Sequence, residues 1–391
     1  MSHTMFETAP TLGLYIHIPF CRSKCDYCDF YSLAGQEKRM DEYQQGLLTH
    51  IRRTAPRAAG HVVDTVYFGG GTPSYYGAQR LCALLEEIKA GFTLAPEAEI
   101  TLEGNPDSLD EAGLRLLRDT GFNRLSMGMQ SACPQELQAI HRPHTAGQTD
   151  RAVACARRAG FENLSLDLIY GLPGQTLDSW ERTVEHALSL RPFHLSCYGL
   201  KVEEGTPLAK RVDEGEQLPD DDLQADLYLW TVEKLEGAGY RQYEISNFAL
   251  PGYESRHNLK YWNTQPYLAF GPGAHSDFGG VRYSYVRDLE GYIRGVMDGE
   301  EPLDEEYTIS PAERAREYVM LSLRTAAGLD GAGFAAVSGG DFAPLESRLK
   351  EFARRGWAVS EGARWHLTPE GFLLSNLLIG DLLEAGGLDG E

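Results

Sequence analysis

The chain has 391 residues, with 57 acidic against 36 basic side chains and a formal charge of −21. A surface so acidic repels phosphate backbones and anionic bilayers, which excludes nucleic acid as the natural partner. Hydrophobic residues at 42% and charged residues at 24% describe a packed protein. The length exceeds the ~250–300 residues that one core sustains, so a large domain and a smaller one are expected.

The opening MSHTMFETAP has no basic stretch followed by an apolar one, so no secretory signal is read there. No run approaches the ~18 apolar residues of a membrane span. Of seven cysteines, three fall within residues 21–28 and the rest are scattered. That usage suits a metal site in a reducing compartment, not a disulfide framework. The location expected is cytoplasmic, with membrane contact only through a client.

From residue 13 to about 205, β-rich runs alternate with helical periods. The strand segments are 13–18, 64–69, 98–104, 124–129, 164–171 and 194–200, and helices are read at 41–53, 78–91, 149–160 and 178–190. Such alternation is the pattern of a parallel sheet with right-handed crossovers, whose chemistry gathers at the C-terminal ends of the strands. Six units are too few for an eight-stranded barrel. The fold expected is therefore α/β, a partial (β/α)6 TIM-like barrel with an open side. A long helix follows at 221–239, and 240–285, dense in Gly, Asn, aromatics and His, reads as loop-rich chain wrapping the sheet. From Ser310 the pattern becomes helix (312–328), helix (342–356), hairpin (357–371) and helix (372–383), a winged-helix-like α+β module. In so acidic a chain its role is packing or partner docking. The organisation expected is a tail over 1–12, the barrel with its wrapping segment over 13–300, and the module over 301–391.

The stretch FCRSKCDYCDF places Cys21, Cys25 and Cys28 directly after the first strand. Structural zinc takes four ligands in spaced pairs, and no second pair follows. His17 is a conceivable fourth ligand, but its place between Ile16 and Ile18 in a strand favours a hydrogen-bonded core histidine. A [4Fe–4S] cluster held by three thiolates keeps one iron open to a chelating amino acid. The second strand runs into GGGTPS, where Gly70, Gly71 and Thr72 offer close backbone approach to a polar ligand; a tight turn without ligand is the plainer reading. Glu103, Gln130 and Asp167 stand at or within strand ends where apolar residues are the default, and Arg142 follows in HRPH. A carboxylate there is costly to bury unless it binds or pairs with something, and an Asp167–Arg142 ion pair would satisfy that without any ligand.

YIHIPFC, YFGGGTPS, LEGNPDS, RLSMGMQS, LDLIYGLPGQT, LSCYGLKVEEGTP and YEISNFA occur in this order. Together they resemble the radical S-adenosylmethionine (SAM) superfamily, in the branch of oxygen-independent coproporphyrinogen III oxidase-like proteins. The resemblance implies a radical-SAM-type partial barrel in which Cys21, Cys25 and Cys28 ligate the cluster. It places SAM on Tyr15, Tyr27, Gly70, Gly71, Thr72, Glu103, Gln130, Arg142 and Asp167; Tyr27 also reads as an aromatic lid. In the oxidase a fourth cysteine stands two residues after the third, where this chain has Phe30, and the oxidase has a longer N-terminal extension. Coproporphyrinogen oxidation is therefore not expected. HNLKYW (257–262) resembles the HNxxYW motif of the haem chaperone branch. That branch implies haem held by His257, Asn258, Tyr261 and Trp262, although a lone histidine is more often structural; apart from the resemblance, His275 is a second candidate ligand, and Arg256 or Lys260 would offer the cations that haem propionates need. Its partners would be haem and haem-acceptor proteins of the respiratory-chain type. The alternatives are a radical SAM oxidoreductase of the oxidase type and a simple electron-transfer iron–sulfur protein.

Overall fold

A computed structural model of the chain describes residues 9–388. Of the expected N-terminal tail, residues 1–8 lie outside the described residues. The six expected strands form: β1 Thr11–Ile18, β2 Val62–Gly70, β3 Leu94–Gly104, β4 Arg124–Gln130, β5 Asn163–Tyr170 and β6 His194–Gly199. Each is parallel to its neighbour. Alternation sets their faces. In β1, Leu12, Leu14, Ile16 and Ile18 are wholly buried in the hydrophobic core, while Gly13 and His17 turn toward the barrel interior.

The crossover helices are α1 Met40–Thr54, α2 Ala78–Gly91, α3 Glu111–Thr120, α4 Ala146–Arg158 and α5 Leu177–Ser189. Helix α3 escapes the sequence reading because only Leu114 and Leu117 of its ten residues are buried. Its ends are nonetheless marked: Asp110 accepts from Gly113 N at the start, and Gly121 takes a left-handed conformation, φ 117°, at the end. Helix α6, Asp221–Gly237, follows β6.

The stretch 240–285 differs from the loop-rich expectation. Arg241–Gln242 and Asn247–Ala249 extend the sheet antiparallel beyond β6. After α7, Arg256–Trp262, strand β7 (Tyr267–Phe270) adds in parallel beside β1. Strands β8 (His275–Phe278), β9 (Val281–Tyr285) and β10 (Leu303–Thr308) continue antiparallel. Strands of two to five residues are too short for alternation to register. The result is one twelve-stranded sheet with two free ends, an open barrel in which β10 extends past residue 300.

The C-terminal module contains α8 Pro311–Ser322, α9 Gly331–Ser338, α10 Ala343–Arg354, a hairpin of Ala358–Glu361 with Arg364–Leu367, and α11 Ser375–Ala385. The Ala-, Gly-rich α9 was not expected. The module grips both ends of the sheet. On one side Arg282 of β9 and Arg314 of α8 share Asp277 and Glu317, with Arg314 Nη1 2.9 Å from Asp277 Oδ2. On the other, Ile245 N donates to Arg324 O and Ala326 N to Tyr243 O, each at 2.9 Å. No helix among the described residues is long and apolar enough to cross a membrane.

Candidate functional site: a polar cavity behind three cysteines

The C-terminal ends of β1–β6 enclose a cavity of about 350 Å³. Cys21, Cys25, Cys28, Tyr27, Gly70, Gly71, Thr72, Glu103, Gln130, Arg142 and Asp167 all line it. Residues remote in sequence meet there because each ends a parallel strand or begins the loop after it. Tyr15 does not line it. Paired in register with the cavity residue Tyr67, its ring packs beside the stacked pair of Tyr67 and His257, and its hydroxyl lies 3.2 Å from His17 Nδ1.

The three thiols are free. Arg142 Nη1 donates to Cys25 Sγ and Thr72 Oγ1 to Cys21 Sγ, each at 3.3 Å. Burial raises the pKa of Cys21 and Cys28, and at Cys21 the Thr72 hydroxyl opposes that rise in part. Among the described residues no three His, Cys, Asp or Glu side chains converge on a single metal ion. His17 is a core histidine, as its strand position suggests. Its Nε2 lies 2.8 Å from Tyr31 O, and burial lowers its pKa to about 4.

The glycine turn is dictated by close packing. Gly70 sits at φ 107°, and a Cβ there would meet the His17 ring at 2.5 Å. Its N–H donates to Glu103 Oε2 at 3.2 Å, while Tyr67 Oη donates to Oε1 at 2.6 Å. Burial raises the Glu103 pKa to about 7 against these two bonds.

Asp167 and Arg142 form no ion pair. Asp167 is cradled by hydroxyls, Ser126 and Ser196 each donating at 3.0 Å. Its pKa is raised by burial, which these bonds oppose. Arg142 donates instead to Asn105 Oδ1 at 2.9 Å and Gly128 O at 3.1 Å. Gly128 makes room for it, since a Cβ there would lie 2.5 Å from Arg142 Nη2. Gln130 ends β4 with φ 57°, strained for a non-glycine residue, and its Oε1 is buried without a partner, as is Arg142 Nε. Strain and orphaned polar atoms aimed at one cavity are the marks of a ligand site.

Tyr67, Asn105, Arg124 and Ser196 are among the lining residues not singled out from sequence. Arg124, 1% exposed with Nε unpartnered, carried the clearest missed signal, a charge opening an otherwise apolar strand.

A family model of the Radical SAM superfamily matches residues 15–187, and one of the HemN C-terminal domain matches residues 309–374. A Bacillus subtilis protein named "Heme chaperone HemW" is 37% identical over 374 residues, covering 94% of this chain and 98% of that protein. Its Escherichia coli namesake is 35% identical, covering 95% and 97%. The chain belongs to the HemW family of radical SAM proteins. Among solved structures, coproporphyrinogen III oxidase (HemN) from Escherichia coli superposes with a TM-score of 0.83 at 26% identity, over 96% of this chain and 90% of that one.

A radical SAM domain works with a [4Fe–4S] cluster and SAM, and the donor set fits both: free thiols with cationic and hydroxyl partners, and orphaned polar atoms beside them. The HemW-type HNxxYW segment sits elsewhere. Helix α7 plugs the N-terminal end of the barrel, where Glu99 accepts from Arg256 N and His257 N. His257 is wholly buried. Its Nδ1 lies 2.8 Å from Thr65 Oγ1 and its Nε2 2.8 Å from Tyr261 Oη. An axial haem ligand needs a free nitrogen facing open space, which His257 lacks here. Of the four motif residues only Asn258 lines the cavity. Lys260, 1% exposed, is paired with Asp64 at 2.8 Å, so it is not available to a propionate.

Proposed function

We propose that this chain is a haem chaperone. It would bind haem, carry a [4Fe–4S] cluster with SAM, and pass haem to acceptor proteins of the respiratory-chain type in the cytoplasm. The observation that carries the reading is its end-to-end likeness to proteins named "Heme chaperone HemW". Phe30, at the position where the oxidase has a fourth cysteine, agrees with it.

In this reading Cys21, Cys25 and Cys28 hold the cluster and leave one iron open to the amine and carboxylate of SAM. When bound, that pair supplies one-electron reductive cleavage of the sulfonium. The remaining work belongs to the chain. Glu103 and Asp167 would accept from ligand hydroxyls, Gln130 presents its unsatisfied carbonyl oxygen, and Arg142 donates to the Cys25 sulfur and fixes its place. Gly70 and Gly71 let backbone come close, and Tyr27 covers the ligand. Tyr15 supports the wall through Tyr67.

The test is anaerobic reconstitution followed by haem titration and transfer to an apo-acceptor. Haem uptake with a shifted Soret band, transfer, and no decarboxylation of coproporphyrinogen are expected. Decarboxylation without haem uptake would overturn the reading in favour of an oxidase like HemN. Serine at all three cysteine positions should abolish the iron–sulfur absorbance. Detection of 5′-deoxyadenosine separates a SAM-cleaving protein from a plain electron carrier.

A further inference from the structure

We infer that haem docks on the rim of the cavity mouth, between Phe30 and the turn after β7, with His275 as the protein ligand to its iron. The inference rests on the chaperone reading and names its site.

Among the described histidines His275 alone is exposed and free of any hydrogen bond or ion pair. His141, the other exposed one, is held by Asp26 at 2.6 Å. An imidazole facing solvent with a free ring nitrogen is what an iron ligand requires.

The cysteine loop and the turn carrying His275 touch. A side chain at Gly273 would meet Arg287 Cγ at 3.3 Å and Tyr31 Cβ at 3.5 Å. Arg287 Nη2 also donates to Asp29 O at 3.3 Å. The turn two residues before His275 therefore meets the cysteine loop, and His275 itself has Arg287 and Arg282 as well as Glu305 and Asp304 as charged neighbours.

Phe30 lines the mouth with 64% of its surface exposed, and Tyr198 beside the same cavity is 41% exposed. Aromatic rings left open at a cavity entrance suit a flat apolar partner. Two cations flank the ring: Lys24, whose Nζ donates to Phe30 O at 3.3 Å, and Arg287. Neither has a carboxylate partner within the described residues. On a chain of charge −21, two unpaired cations beside an exposed aromatic complement a planar ligand with two carboxylates. Haem has that body, those two carboxylates, and an iron that takes imidazole. The cavity behind, at about 350 Å³, is the one proposed to hold the cluster and SAM, which leaves the rim for the macrocycle.

The test is haem titration of full-length, cluster-reconstituted protein, read by the Soret band. His275→Ala should lose the histidine-ligated spectrum and weaken binding by about tenfold or more. Added imidazole should restore the spectrum, and melting should stay unchanged because His275 makes no bond. Phe30→Asp should weaken binding without changing the ligation spectrum. Wild-type spectrum and affinity in His275→Ala would overturn the assignment while leaving the chaperone reading intact. Loss of the spectrum in His257→Gln instead, at unchanged melting temperature, would move the ligand into α7 and also overturn it. A wild type that takes up no haem would sink the chaperone reading, and the rim site with it.

Discussion

Single side chains in this molecule carry opposed tasks, and Glu103 is the sharpest case. Its carboxyl is held near pH 7 by burial although Tyr67 and Gly70 both donate to it. Below about pH 4.5, folded and unfolded chains both keep the proton and nothing changes. Between there and about 7 only the folded form keeps it, so stability falls as pH rises; above 7 both are ionised and the whole cost remains. Glu103→Gln in SAM-free protein should therefore melt above wild type by a margin that grows from about pH 5 to pH 8, read by thermal scans. The same variant should lose SAM affinity. A margin that stays flat with pH would contradict this account. The sequence made Glu103, Gln130, Arg142 and Asp167 legible because polar groups at strand ends of an apolar sheet need a reason. It did not make the partners legible. Arg142 bonds to Cys25 and Asn105 instead of Asp167, a choice set by the space that Gly128 leaves.

At the scale of elements, long periodic segments could be read and short ones could not. Apolar spacing places helix α2 at 78–91 and marks strands β1 to β6, but not the parallel β7. The strands after residue 240 are brief, and their identity depends on neighbours contributed by distant chain. Helix α7 shows what a motif leaves out: its His, Tyr and Trp read as a haem cradle, and the sequence does not show that packing turns His257 and Lys260 inward. Lys260 and Asp64 are 2% and 18% exposed as side chains. Lys260→Ala leaves Asp64 only the more distant Arg256, at 3.8 Å, and should cost about 3 kcal/mol, measured by denaturant unfolding. If haem docks on the opposite rim, the surviving folded fraction should still bind it at wild-type affinity.

The whole molecule is an open sheet held shut by its last domain. Packing, one of the two roles expected of the C-terminal module, is visible at both ends of the sheet, although no sequence pattern indicated which surfaces it joins. Asp277 is 6% exposed and is paired with both Arg282 and Arg314. The double variant Arg282→Ala with Arg314→Ala should lower stability by about 3 kcal/mol or more. It should also weaken SAM binding, although neither arginine lines the cavity; unchanged SAM affinity would show that closure and the site are independent. The clasp also orders events during synthesis. Every residue proposed to hold the cluster has emerged long before the chain reaches Arg314, Arg324 and Ala326, which join the two ends. Until they are made, the ion pairs and hydrogen bonds that join the two ends of the sheet are missing, so closure of the barrel is the last tertiary step that the order of the chain allows.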